Sequence, residues 1–195
     1  MIATACALAG CATGPAAGSS SGADAGRSTK GPPPATEPYL GTGPSPTAPA
    51  TPDADAIAQA DAWLEAVVLP AGAVPSGDGT SGFSSYTGWP CAPIAERQAA
   101  WLIPDAGVVD TTNWIREHPP AGLVSTAIGP YPDDIPSDSA ITGFTPENRS
   151  QQGVVLTVER RGGGVAVRAE VAALGATSVC PPPPDGGEWG LPGQG

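Results

Sequence analysis

The stretch that most restricts the fold is QQGVVLTVERRGGGVAVRAEVAAL, residues 151–174, in which two Val-rich runs flank Arg161-Gly162-Gly163-Gly164. Runs of β-formers on either side of a glycine turn predict a β-hairpin. Within each run Val, Leu and Ala alternate with Thr, Glu and Arg, so one face of the pair should be buried and the other wet. A hairpin with one apolar face is marginal alone in water. It needs more strands beside it and a layer over it.

Two segments offer that layer. In TPDADAIAQADAWLEAVVLPAG, Thr51 can cap, Pro52 suits the first helical position, Asp53 and Asp55 favour the positive end of the helix dipole, and Pro70 forces a stop. Ile57, Leu64 and Val67 or Val68 recur at helical spacing, which predicts a helix from about Asp53 to Val67 with Trp63 at its margin. PAGAVPSGDGTSGFSSYTGWPCAP then holds too many turn formers for more than a short strand near Ala73 and a long loop. In AERQAAWLIPDAGVVDTTNWIREHPPAGL, Ala99 to Ile103 reads as a strand and Asp105 opens a second helix. Val108, Thr112 and Ile115 mark its inner face, and Pro119-Pro120 end it. A return strand over Leu123–Ile128, an acidic loop from Pro130 to Asp134 and a strand over Ala140–Phe144 complete the pattern. The expected fold class is α+β, with two helices packed on one face of an antiparallel sheet of four to five strands.

That domain occupies residues 53–180, and the flanks have another character. Gly 27 and Pro 25 in 195 residues restrict regular structure to one domain at most. Residues 11–52 have Tyr39 and Leu40 as their only large apolar side chains, too few to offset chain entropy. They predict a long disordered tether with a reach between roughly 35–40 Å as a coil and about 130 Å when extended. Residues 181–195, with five prolines and several glycines, predict a flexible C-terminal tail, or one that folds back through Trp189.

Residues 1–10 read as a signal-peptide remnant: a short Ala-rich run with one Leu, ending in small residues and lacking the usual positive n-region. The missing charge suggests a true start codon upstream of Met1. Leu8-Ala9-Gly10-Cys11 resembles the lipobox of bacterial lipoproteins, which implies a lipid on Cys11 and anchoring at the outer face of the cell membrane. The alternative is an Ala-rich disordered start with an incidental cysteine. A membrane span needs about 20 apolar residues, which this stretch lacks. Further along, Trp114-Ile115-Arg116-Glu117-His118-Pro119-Pro120-Ala121-Gly122, after a strand ending at Ile103-Pro104, is similar to a pattern in uncharacterised secreted or lipid-anchored proteins of actinobacteria. That resemblance implies the same compartment and brings no activity with it.

Cleavage before Cys11 would remove Cys6 and leave Cys91 and Cys180 as the remaining pair. An oxidising compartment would join them, and closing so long a loop contributes roughly 4–5 kcal/mol in the chain-entropy view. Two unpaired thiols, one of them catalytic, are the alternative.

A net charge of −11 repels phosphate backbones, so nucleic acid is not expected as a partner. His118 is the single histidine, and its place at a helix end suits contact with exposed carbonyls. Any Ser-His-Asp or Cys-His site must pass through it. No strand-to-helix turn carries a nucleophile elbow, P-loop or dinucleotide fingerprint, and His/Cys clusters for zinc are missing, so neither metal nor cofactor is expected. Asp133, Asp134 and Asp138 read as a solvated acidic loop rather than a calcium site. Trp63 and Trp101 belong to core or rim. The candidate binding residues are Tyr86 and Trp89 in the long loop, Trp114 on the second helix, and His118. Two function classes follow: a non-catalytic lipid-anchored envelope protein that binds or scaffolds a protein or glycan, and a small cell-wall hydrolase or transferase using His118.

Overall fold

The computed structural model describes residues 51–77 and 88–194. The signal-like run with Cys6 and Cys11, the tether up to residue 50, and Tyr86 lie outside those residues. The elements, in chain order, are α1 (Ala54–Glu65), β1 (Val74–Pro75), β2 (Ala92–Pro104), α2 (Val108–Glu117), β3 (Val124–Ser125), β4 (Ser139–Thr145), β5 (Gly153–Arg161) and β6 (Gly164–Val179). The strands form one antiparallel sheet in the order β1-β2-β6-β5-β4-β3. The fold is α+β, with two strands of two residues each at the sheet's edges raising the expected strand count to six.

The hairpin is β5–β6, paired from Gly153↔Ala172 to Arg161↔Gly164 around a turn in which Gly162 takes φ +50°, a conformation suited to glycine. Both helices cover one face. α1 lies over β2 and β6, and α2 over β4 and β5. The α1 surface against the sheet is built from Ala56, Ala60 and Trp63 rather than from Ile57 and Leu64, which are half-buried. The sheet below carries Ala95, Ala169 and Ala173, and small residues on both sides let helix and sheet approach closely, drawing Trp63 into the core. The α2 face is as expected: Val108, Thr112 and Ile115 are buried, with Thr112 Oγ1 donating to the Val108 carbonyl at 2.8 Å. Phe144, Val154, Leu156, Val158 and Val167, all fully buried, form the centre of the core.

Several boundaries differ from the sequence expectation. The α1 cap is Asp53, not Thr51, and it acts twice: Oδ1 accepts from the Ala56 N–H at 2.8 Å and Oδ2 from the Ala176 N–H at 2.9 Å. Those bonds, the first foremost, hold its carboxyl below the ordinary carboxylate value. Asp105 does not open α2. It sits in a tight turn at φ +56°, and Gly107 is the N-cap. β2 starts at Ala92 rather than Ala99, because its polar first half pairs with β6 from Ala92↔Val179 to Gln98↔Glu170, and Arg97 there bonds Asp61 on α1 at 2.5 Å. The return strand shrinks to Val124–Ser125.

Cys91 and Cys180 form a disulfide (Cα–Cα 4.0 Å) that joins the residues flanking β2 and β6 just beyond their Ala92↔Val179 pair. The cross-link therefore closes the end of a strand ladder. The face of the sheet away from the helices is not simply wet, since Val155, Thr157, Ala166, Glu170 and Ala172 are also buried there. One cover is the C-terminal segment, expected to be a flexible tail. Gly186 N–H closes a turn onto the Pro183 carbonyl and Trp189 Nε1 donates to the Pro181 carbonyl at 2.7 Å. Gln151 Nε2 then holds the Gly190 carbonyl at 3.1 Å, and Thr126 Oγ1 the Pro192 carbonyl at 3.0 Å. The Pro192 carbonyl rests directly on Gly143, where an added Cβ would lie 1.9 Å from its oxygen. Among the described residues no helix is long and apolar enough to cross a membrane.

Candidate functional site

The site begins with the shortness of β3. β4 spans Ser139–Thr145, but β3 pairs only with Phe144 and Thr145, and Thr126 adds one further bond from its N–H to the Gly143 carbonyl at 2.9 Å. Beyond Thr126 the chain turns away through Ala127, Ile128, Gly129 and Pro130, the last without an N–H to offer a ladder. The outer edge of β4 at Ile141 is therefore finished by side chains. Arg116 Nη2 and Tyr131 Oη both donate to the Ile141 carbonyl, at 3.4 and 3.2 Å.

Each of those side chains is held in place. Arg116 stands in the last turn of α2. Its Nη1 donates to the Gly129 carbonyl and its Nε to Thr142 Oγ1 at 3.3 Å, while its guanidinium lies 4.1 Å from the centre of the Tyr131 ring. Asn113, one turn earlier on the same helix, clamps Tyr131 in both directions: its Nδ2 donates to the Tyr131 carbonyl at 2.9 Å and its Oδ1 accepts from the Tyr131 N–H at 2.8 Å. The C-terminal segment closes the remaining side, with Gln194 Nε2 donating to the Thr126 carbonyl at 2.9 Å. Arg116, Thr126, Ile128, Tyr131, Ile141 and Gln194 thus line a groove of about 480 Å³.

The electrostatics of this groove are unusual for so acidic a chain. Arg97, Arg160, Arg161 and Arg168 each pair with a carboxylate, from Asp61, Asp138, Glu159 and Glu170 respectively. Arg116 is half-buried and, among the described residues, bonds only carbonyls, one hydroxyl and an aromatic face. Burial lowers its pKa, an effect that Tyr131 partly offsets, although a guanidinium stays charged at any ordinary pH.

The residues singled out from the sequence lie elsewhere. Trp114 and His118 stack at 3.8 Å between ring centroids, 12° from parallel, and His118 Nδ1 meets the Trp114 carbonyl at 2.7 Å. The histidine is exposed, closes its own helix, and is hydrogen-bonded to no Ser, Cys or Asp side chain among the described residues. Trp89 borders a smaller cleft with Glu96, Gln98 and Glu170. Cys91 and Cys180 are joined to each other, and Tyr86 and Cys11 are outside the described residues. Asp138 is occupied by Arg160, and no group of three His, Cys, Asp or Glu residues among those described is placed to hold a metal ion. Arg116 and Tyr131 carry no local sequence signal that marks them as a site. A basic residue in a last helical turn is commonplace, and nothing local ties Gln194 to residue 126. No known protein family, curated protein or solved structure matches this chain.

Proposed function

We propose that this protein is a non-catalytic, lipid-anchored component of the cell envelope, held at the outer face of the membrane through Cys11, whose folded domain binds a protein or wall component. The observation that carries the reading is the Cys91–Cys180 disulfide, because paired cysteines belong to oxidising compartments. It agrees with the lipobox-like LAGC and with the spacer composition that follows. The groove at Arg116, with one fixed cation and little other chemistry, suits recognition more than catalysis. The alternative, a wall hydrolase or transferase using His118, draws no support from a histidine whose ring is stacked on Trp114 and whose Nδ1 meets its own helix.

The test is intact mass after expression from the native genomic locus in an actinobacterial host. A mature chain that starts at Cys11 and carries a lipid mass, lost in Cys11→Ser, is the expected result. An unmodified chain retaining Met1 would overturn the anchoring.

A further inference from the structure

We propose that the groove at Arg116 binds a small monocarboxylate with an apolar body, the guanidinium taking the carboxylate and Ile128, Ala127 and Tyr131 taking the rest. This deepens the reading of the domain as a binding module and rests on it.

The first ground is an uncompensated charge. A half-buried guanidinium has lost part of its hydration, and elsewhere in this molecule such groups are repaid by a carboxylate: Arg168 by Glu170, Arg97 by Asp61. Arg149 also lacks an ion pair, but it is exposed and needs none. Arg116 faces a groove instead, so the missing anion has a place to arrive.

The second ground is the donor count. A guanidinium has five N–H groups. Three are used, by Gly129, Ile141 and Thr142, which leaves two, the number a carboxylate takes. The Tyr131 ring and the carbonyl bonds fix the guanidinium plane, so its orientation is set before a ligand enters.

The third ground selects among anions. The groove has a single cation, in a chain of net charge −11, which disfavours phosphate and other multiply charged groups. Its rim is apolar: Ile128 is fully exposed beside Ala127 and Pro130, an arrangement that costs solvation unless something covers it. A volume of about 480 Å³ lies within the ordinary range for small-molecule sites.

The experiment uses the full chain with its disulfide intact, labelled with nitrogen-15 and titrated with acetate, isovalerate, hexanoate and phenylacetate, with their amides, and with inorganic phosphate. The expected result is a saturable shift of the Gly129, Tyr131 and Gln194 amides and of the Arg116 Nε–H. Affinity should rise from acetate to the larger acids, and each amide should bind at least about tenfold more weakly than its acid. Arg116→Gln should abolish binding. Because that variant also loosens the β4 edge, the fully exposed Ile128 provides the control: Ile128→Asp should weaken binding and Ile128→Lys strengthen it, with the rest of the spectrum unchanged. Acids and amides binding equally would overturn the carboxylate while leaving the groove a binding site. Phosphate binding more tightly than every acid, an unaltered affinity in Ile128→Asp, or no acid moving those amides would each overturn the proposal. None of these results depends on the mass of the N-terminus, so a failed lipid assignment is separable from a failed ligand assignment.

Discussion

The two ends of the sheet treat the same problem differently. At one end β2 runs 13 residues and pairs with β6 along almost all of them, a disulfide closes the ladder, and the arginine that faces α1 has Asp61 as its counter-ion. At the other end β3 stops after two residues, and the edge of β4 is completed by Arg116 and Tyr131 with carbonyls as their partners. The first arrangement pairs its backbone along the ladder and gives its arginine a counter-ion within the molecule. The second leaves a cation and two N–H groups unspent, and a concave surface in front of them. Where pairing ends early, the polar groups released become available for recognition.

The largest expected effect tests the closed end. Replacing Cys91 and Cys180 together by Ser should cost roughly 4 kcal/mol in denaturant unfolding, and hydrogen exchange should show protection lost mainly along β2 and the second half of β6. Equal loss across β4 would mean that the two ends are not independent. Next, Arg116→Gln should cost about 1–2 kcal/mol, since the Ile141 and Gly129 carbonyls and the Thr142 hydroxyl lose a charged donor. Arg97→Gln should cost less than about 1 kcal/mol, because its ion pair with Asp61 is partly solvated. The reverse order in urea unfolding would break the comparison. The smallest effect concerns pH. Asp53 titrates below its unfolded value of 3.8, so its contribution is full above that value and disappears as the pH falls through the folded one. Tm should therefore decline below about pH 4, and Asp53→Asn should shrink that decline.

The parts of this fold legible in the sequence were those with strong local signals. The Val-rich hairpin, the proline stop after His118 and the paired cysteines each express their role within a few residues. What the sequence concealed depended on partners far along the chain. The strand expected over Ala99–Ile103 extends back through Glu96, Arg97 and Gln98 because β6 pairs with them and Asp61 on α1 supplies Arg97 with a counter-ion. Thr51 is the expected cap, and Asp53 takes that role because β6 also offers it the Ala176 N–H. The candidate site is the extreme case: Arg116 and Tyr131 converge only through Asn113, Ile141 and the turn after β3, and Gln194 only through Thr126. His118 and Trp89 belong to the residue types richest in possible chemistry, and they lie outside the groove. In this fold His118 serves to end a helix.

Gly143 carries a constraint on how the sequence can drift. It lies in mid-strand, where almost any β-forming residue would suit the backbone, yet its missing side chain is what admits the Pro192 carbonyl and the Gly193 backbone. A lineage that gains even a methyl group at 143 must reroute residues 190–194 and forfeit the Gln194 wall of the groove. Positions 143 and 192–194 should therefore be inherited as a unit, the small residue surviving wherever the docked segment does.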